Sequence, residues 1–197
     1  MSSVLAQGTG AAVAVHGTAR GAPPCIACHG ARGEGNAANT SPRLAGLPAT
    51  YIRAQLSAFA QGQRENPVMA PIAKSLNADE VQAVSVYFAG LPAPVLPKTA
   101  PVAVGPGAIL ALDGRWSANL PPCVACHGPG GIGVGTSFPP LTGQTAPYLA
   151  AQLEAWQQNK RQPGPLGLMQ AVARRLSPSD IVAVSHWFAA QPAGAGR

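Results

Sequence analysis

Two copies of a Cys-x-x-Cys-His motif use every cysteine in this 197-residue chain. The spacing suits covalent attachment of a c-type haem, because two thiols form thioethers to the porphyrin and the next residue's imidazole binds the iron. The motif occurs twice, each time after Pro-Pro and before Gly, so chance is a poor explanation. The sequence therefore predicts two covalent haem c groups. The predicted attachment residues are Cys25, Cys28, Cys123 and Cys126, and the predicted iron ligands are His29 and His127.

Four cysteines also allow a zinc site or a redox dithiol. A zinc site built from all four thiolates would join two short motifs that lie 98 residues apart. A redox dithiol does not require a histidine directly after its second cysteine. Both alternatives fit the motif less well than haem attachment.

The chain around the two motifs repeats itself at offsets of 97 to 100 residues. At an offset of 97, the residues Pro42, Gly46, Tyr51, Gln55, Leu56, Phe59 and Arg64 match Pro139, Gly143, Tyr148, Gln152, Leu153, Trp156 and Arg161. We therefore predict two tandem domains, residues 1–97 and 98–197. Closely spaced prolines predict an extended linker at about residues 91–104.

The hydrophobic pattern predicts an all-α fold with three helices in each domain. The first helix is expected at about residues 9–17 and 106–114, and the second begins near Thr50 or Pro147. The third has clear start signals, because Asn77 and Ser177 are each followed three residues later by an acidic residue.

The second axial ligand of a haem iron decides between electron transfer and catalysis. Of the three methionines, Met1 is terminal, whereas Met69 and Met169 occupy the same place in the two repeats, in predicted loops before the third helix. An isolated methionine usually fills a gap in a core. Because the repeat places this residue twice, we predict that Met69 and Met169 are axial ligands. His16 and His186 have no counterparts in the other repeat and are expected to lie at the surface or to be satisfied by other contacts.

Composition and charge limit the partners. Charged residues make up only 10% of the chain and its formal net charge is +6, with the basic residues scattered, so nucleic-acid binding is not expected. No apolar run is long enough to span a membrane. The first 15 residues lack Lys and Arg and do not resemble a signal peptide. Covalent haem attachment takes place outside the cytoplasm, so we expect a periplasmic protein whose export signal was removed or lies outside this numbering.

Both halves resemble class I cytochrome c domains, and the tandem pair resembles the cytochrome c4 family of dihaem periplasmic electron carriers. The resemblance rests on the Cys-x-x-Cys-His-Gly motifs, on residues 42–46 with Tyr51 and Gln55, and on the segment from Met69 to Leu76. It implies a few helices wrapped around one covalent haem in each domain. It also implies that the carbonyls of Pro42 and Pro139 accept hydrogen bonds from the ligand histidines. The second methionine segment departs from the first, because it is three residues longer.

Three functions from different classes remain open. The first is a carrier that moves single electrons between a periplasmic donor and an acceptor such as a terminal oxidase. The second is a haem subunit held permanently in a larger dehydrogenase or oxidase complex, with association with a membrane complex left open. The low surface charge favours this second function. The third is a dihaem peroxidase-type enzyme, which would need an iron with an open position. Two six-coordinate irons suit electron transfer, so we predict an electron carrier and not an enzyme.

Arg64 and Arg161 occupy matched positions before the methionines. Each is either a solvated loop arginine or a partner for a haem propionate or another carboxylate.

Overall fold

The structure, a computed structural model, describes residues 2–93, 104–162 and 164–192. The chain divides into two compact units, Met1–Ala93 and Pro94–Arg197, which are called the N-terminal and C-terminal domains below. The predicted boundary near residue 98 and most of the predicted linker fall on residues 94–103, outside the described residues. They stay predictions.

Each domain consists of α-helices and connecting loops, which confirms the all-α fold class. In the N-terminal domain the helices are α1 (Ser2–His16), α2 (Ile26–His29), α3 (Ala49–Ala60), α4 (Met69–Ser75) and α5 (Ala78–Gly90). In the C-terminal domain they are α6 (Pro106–Leu112), α7 (Val124–His127), α8 (Ala146–Gln157), α9 (Leu168–Ala173) and α10 (Pro178–Ala190). The described part of the chain has three isolated β-bridges and no β-strand.

The three predicted helices of each domain are present with shifted ends. The first helix is longer than expected in the N-terminal domain, where α1 begins at Ser2, and shorter in the C-terminal domain, where α6 ends at Leu112. The third helix begins as predicted. Asn77 and Ser177 each form a capping box, in which the side chain accepts a hydrogen bond from the backbone N–H three residues later while that residue's carboxylate accepts one in return.

The prediction that the methionines lie in loops was wrong. Met69 is the first residue of α4, and Met169 is the second residue of α9. These helices have seven and six residues, too few to show a hydrophobic period. Pro71 is compatible with α4 because it lies in the first turn, where a missing N–H costs no helical hydrogen bond.

The first and last helices of each domain cross at a glycine. A Cβ added at Gly10 would clash with the carbonyl oxygen of Ala83 and lie 2.8 Å from Cβ of Tyr87. At the matched Gly107, an added Cβ would clash with the Ala183 carbonyl and lie 2.9 Å from Cβ of Trp187. The small residues that the sequence shows in the first helix therefore allow two backbones to touch.

A separate hydrophobic core lies inside each domain. The N-terminal core contains Val13, Ala14, Leu47, Ile52, Val84 and Phe88. The C-terminal core contains Ala108, Leu110, Ala111, Leu120, Leu149, Leu176, Ile181, Val184, Trp187 and Phe188. The half-buried first cysteine of each Cys-x-x-Cys-His motif packs against the core of its own domain, which places the motif at the edge of the apolar interior.

Candidate haem sites

Each Cys-x-x-Cys-His motif folds into a single helical turn. The N–H of His29 donates to the carbonyl of Cys25 over 3.0 Å, and the N–H of His127 donates to the carbonyl of Cys123 over 3.0 Å. This turn leaves the second cysteine of each motif exposed and buries the histidine. The two thiols and the imidazole of each motif are therefore fixed together by local backbone geometry.

The loop after each histidine brings a proline carbonyl to the imidazole. In the N-terminal domain, Nδ1 of His29 lies 2.9 Å from the carbonyl oxygen of Pro42. In the C-terminal domain, Nδ1 of His127 lies 2.8 Å from the carbonyl oxygen of Pro139. A carbonyl can only accept, so Nδ1 carries the proton and donates in both cases. These are the contacts that the family resemblance implies.

The same backbone bonds hold both loops in place. The carbonyls of His29 and His127 each accept a bond from the N–H six residues later, over 2.7 Å. Further along, Leu44 and Leu141 each donate to the carbonyl of a matched glycine over 2.8 Å. An isolated bridge closes each loop just before its proline region, between Asn36 and Ser41 in one domain and between Val134 and Phe138 in the other.

The protonation state of both histidines suits iron binding. Burial lowers the pKa of His29 and of His127, an effect that the bond to the proline carbonyl partly opposes. Each imidazole is therefore neutral at pH 7. With the proton on Nδ1, Nε2 carries a lone pair. In His127 this Nε2 is buried and has no hydrogen-bond partner among the described residues. A buried nitrogen that lacks a protein partner and carries a lone pair fits a metal ligand.

The thiols do not fit the rival sites. Burial raises the pKa of the Cys25 thiol and of the Cys123 thiol to about 11. A reactive dithiol requires a lowered thiol pKa, so the redox alternative is disfavoured. Across the described residues, no three His, Cys, Asp or Glu side chains come together as a metal site, which gives no support to zinc. The cysteines and histidines therefore fit two separate covalent haem groups.

Met69 and Met169 are half-buried at the starts of equivalent short helices. The α4 turn is capped by Asn66, whose Oδ1 accepts from the N–H of Met69 over 2.8 Å and from that of Val68 over 3.0 Å. No side-chain cap is present at the start of α9, where Gly167 has a left-handed conformation. Both methionines therefore lie at the start of a short helix, but the hydrogen bonds that stabilise the start of the helix differ between the two domains.

Arg64 and Arg161 are not solvated loop residues, because only 7% and 9% of their surface is exposed. Nη1 of Arg64 donates to Oε1 of Gln55 over 2.8 Å, and its guanidinium carbon lies 4.4 Å from the centre of the Phe59 ring. Arg161 repeats this arrangement with Gln152 at 3.1 Å and the ring of Trp156 at 4.1 Å. The duplication therefore keeps two buried cations in one defined setting, stabilised by an amide and an aromatic face.

Two features of this region were not recognised in the sequence. The repeat marks Gln55 and Gln152 as matched residues, and their equal spacing from Arg64 and Arg161 is the signal that could have identified them as partners of the arginines. Arg43 was given no role, yet it is almost completely buried and donates to the carbonyl of Ala45. Its counterpart is Pro140, so the duplication gave no signal for it. His16 and His186 are exposed, in line with the expectation for residues that are not duplicated.

The comparisons with known proteins agree with this geometry. The family model described as cytochrome c matches residues 22–92 and again residues 119–190. A thiosulfate dehydrogenase electron acceptor from Thiomonas intermedia (strain K12) is 49% identical over 87% of this chain and 82% of its own length. A cytochrome c4 from Pseudomonas aeruginosa is 35% identical over 83% of this chain and 82% of its own length.

A solved structure of thiosulfate dehydrogenase from Marichromatium purpuratum superposes on 94% of this chain with a TM-score of 0.86 and 44% identity. This chain spans only 40% of that protein. In the described part of this chain, no helix has both the length and the apolar character needed to cross a membrane. Two matched domains, two complete haem motifs, and relatives named as a cytochrome c4 and as an electron acceptor lead to one conclusion: the chain belongs to the cytochrome c family, as a dihaem, cytochrome c4-like electron carrier with two covalent haem c groups.

Proposed function

We propose that this chain is a periplasmic cytochrome that accepts electrons from a thiosulfate dehydrogenase and passes them on one at a time. The main support for this proposal is the similarity to the Thiomonas intermedia electron acceptor, which extends over 82% of that protein's length. The match to 40% of the Marichromatium purpuratum thiosulfate dehydrogenase, at 44% identity, also supports a link to thiosulfate oxidation. The periplasmic location follows from the chemistry of covalent haem attachment.

His29 with Met69 would hold one haem iron, and His127 with Met169 would hold the other. When bound, haem iron supplies a one-electron change between its ferrous and ferric forms. The bond from each Nδ1–H to its proline carbonyl fixes the ring orientation and leaves Nε2 as the donor atom. Each methionine would supply a neutral, soft thioether, which favours the ferrous form of a haem iron. Support for the methionines comes from their matched, half-buried places at the starts of α4 and α9.

Arg64 and Arg161 are proposed to offset the negative charge of a haem propionate or another carboxylate. Their burial supports this role, because a guanidinium held away from water acts more strongly on a nearby charge than an exposed one. The bonds to Gln55 and Gln152 supply one neutral acceptor each and hold the guanidinium in place. A positive charge held near the iron favours the reduced state.

A second candidate is a free carrier between a periplasmic donor and a terminal oxidase. The similarity to the Pseudomonas aeruginosa cytochrome c4 favours it. The two proposals are compatible if the reduced protein leaves the dehydrogenase. An acceptor for the dehydrogenase is either its permanent subunit or a mobile carrier, and size-exclusion chromatography of a stoichiometric mixture separates these two forms. Co-elution supports a permanent subunit, and separate elution with rapid electron transfer supports a mobile acceptor.

The test of the main proposal uses the ferric holoprotein with thiosulfate and the purified thiosulfate dehydrogenase of Thiomonas intermedia. We expect the haem spectrum to change to the ferrous form only when both enzyme and thiosulfate are present. Thiosulfate alone is the first control. Ascorbate is the second, because it shows that the haems can be reduced. Reduction by ascorbate without reduction by the enzyme would contradict the proposal.

A further inference from the structure

The outer face of the methionine helix in the C-terminal domain has features that the domain itself does not need. This face, called the α9 face below, comprises Leu166, Leu168, Ala171 and Arg175. The last three are spaced for one side of a helix and are all exposed. Nη1 of Arg175 donates to the carbonyl of Ala171 over 2.6 Å, which draws the guanidinium back along this side of the helix.

Leu166 is the most unusual residue of the α9 face. Its side chain is 92% exposed, and its backbone has φ 59° and ψ 6°. A left-handed conformation is strained for a bulky residue, and an exposed leucine adds no buried apolar area in return. Glycine or asparagine would adopt this backbone more easily. Burial against the described protein residues therefore does not offset the strain of a leucine at this position.

The other domain shows what this segment looks like without the leucine. When Met169 is aligned with Met69, Leu166 corresponds to Asn66, which caps the methionine helix through two hydrogen bonds. The C-terminal domain has lost that cap and carries a loop three residues longer. The loss of a favourable contact together with the gain of a strained, exposed apolar side chain points to a contact outside the domain.

The charge around the α9 face indicates what kind of surface it contacts. Residues 155–178 contain Lys160, Arg161, Arg174 and Arg175 and no acidic residue. The matching residues 58–78 contain Arg64 and Lys74 together with Glu65. Lys160, Arg174 and Arg175 are exposed in the structure. Arg174 donates to Oδ1 of Asn159 over 2.7 Å, so its acceptor is neutral and its charge remains available to a partner.

We propose that the α9 face is the docking surface for the dehydrogenase, which meets it with an apolar patch edged by carboxylates. The inference rests on the proposed function, which names the dehydrogenase as the electron donor. Met169 follows Leu168 directly, so docking here would bring the donor to the methionine side of the C-terminal haem site. Apolar contact at Leu166 and Leu168 holds the complex, while the basic side chains set the rate of encounter and the orientation. The N-terminal domain, which lacks this surface, does not dock in the same way.

The experiment measures the second-order rate constant for reduction of the ferric holoprotein by Thiomonas intermedia thiosulfate dehydrogenase with thiosulfate, at several ionic strengths. Leu166→Asn introduces the residue of the other repeat and tolerates the left-handed backbone. We expect it to lower the rate constant about tenfold at every salt concentration. Arg175→Gln should lower it several-fold at low salt and have little effect at high salt, because salt screens exposed charges.

Two controls have matched chemistry at other places. Trp116→Ser removes another exposed apolar side chain of the C-terminal domain, and Lys74→Gln removes a cation from the N-terminal methionine helix. Both should leave the rate constant unchanged, and every variant should keep the wild-type midpoint potentials. An unchanged rate in Leu166→Asn, an equal loss in either control, or a loss explained by a shifted midpoint potential would overturn the docking surface alone. Wild-type protein that the dehydrogenase does not reduce would overturn the proposed function together with this inference.

Discussion

The two domains hold their histidines in the same way but surround them differently. Each imidazole donates to a proline carbonyl over 2.8–2.9 Å, and each domain keeps one buried arginine bonded to a glutamine. Around these shared contacts, Arg43 is replaced by Pro140 and Leu47 by Gln144, and the cap at Asn66 is replaced by the exposed Leu166. The duplication has therefore kept the contacts that position the two histidines and varied the residues around them.

The same contrast appears at the start of the last helix. In the N-terminal domain, Arg20 reaches Glu80 with one contact of 3.4 Å at the surface. In the C-terminal domain, Arg115 donates two hydrogen bonds to the carboxylate of Asp180, over 2.6 and 3.0 Å, and Asp180 is largely buried. Both acids also complete the capping box of their helix. The shared capping box is thus combined with an ion pair of different geometry in each domain. The stability of the two domains should therefore depend differently on acidic pH.

The largest expected effect comes from the methionines. Met69→Ala and Met169→Ala should each remove one methionine-to-iron charge-transfer contribution from the ferric spectrum. Each should also lower the potential of one haem by on the order of a hundred millivolts, because the axial ligand is a dominant influence on haem potential. Spectroscopy and potentiometry of the two holoprotein variants measure both changes. If either variant keeps the wild-type spectrum and potentials, that methionine is not a ligand.

Packing at the helix crossings should give the next largest effect. Gly10→Ala and Gly107→Ala each push a Cβ into the carbonyl of the facing helix, so each should lower the free energy of unfolding of its domain by about 1–3 kcal/mol. Gly8→Ala is the control in α1, because an added Cβ there meets nothing within 4 Å. Urea unfolding compares the three variants. Equal stability of Gly8→Ala and Gly10→Ala would show that close backbone contact is not what the glycine provides.

The buried arginines should have a smaller, symmetric effect. Arg64→Gln should lower the potential of one haem and Arg161→Gln that of the other, each on the order of tens of millivolts, because removing a positive charge favours ferric iron. Haem content should be unchanged. Potentiometric titration with intact-mass analysis checks both points. Unchanged midpoints would mean that these cations stabilise the fold without acting on the iron.

The smallest effect concerns acid stability. The Arg115 guanidinium lowers the pKa of Asp180 to about 2, below its ordinary value near 4. A carboxylate with a lowered pKa stabilises the folded state above its unfolded pKa, and this contribution is lost as the pH falls through the folded pKa. The C-terminal domain should therefore lose this contribution between about pH 4 and pH 2. Asp180→Asn should reduce stability at pH 7 and flatten that dependence.

Urea unfolding of Asp180→Asn at several pH values tests this effect, with Glu80→Gln as the matched control. The control removes a surface contact of 3.4 Å and should change stability less than Asp180→Asn does. A wild-type protein and an Asp180→Asn variant with parallel pH dependence would contradict the role of the ion pair.

Much of this arrangement could be predicted from the sequence because the duplication supplied an internal comparison. It singled out Met69, Met169, Arg64 and Arg161 as candidates by repetition, and the capping boxes at Asn77 and Ser177 were visible in local sequence. The short methionine helices were missed because six or seven residues are too few to show a period. The burial of Arg43 could not be predicted either, since it depends on how a loop folds over the domain and has no match in the other repeat.

The most direct test of the account is a spectroelectrochemical titration of the wild-type holoprotein that follows the methionine-to-iron charge-transfer band of the ferric state. Intact mass should first show two haem increments on the chain. Two His/Met sites predict two one-electron waves, each removing about half of the band. A charge-transfer band that accounts for only one of the two haems, or reduction of one haem without loss of the band, would contradict the claim that both domains hold electron-transferring haems with the same pair of ligands.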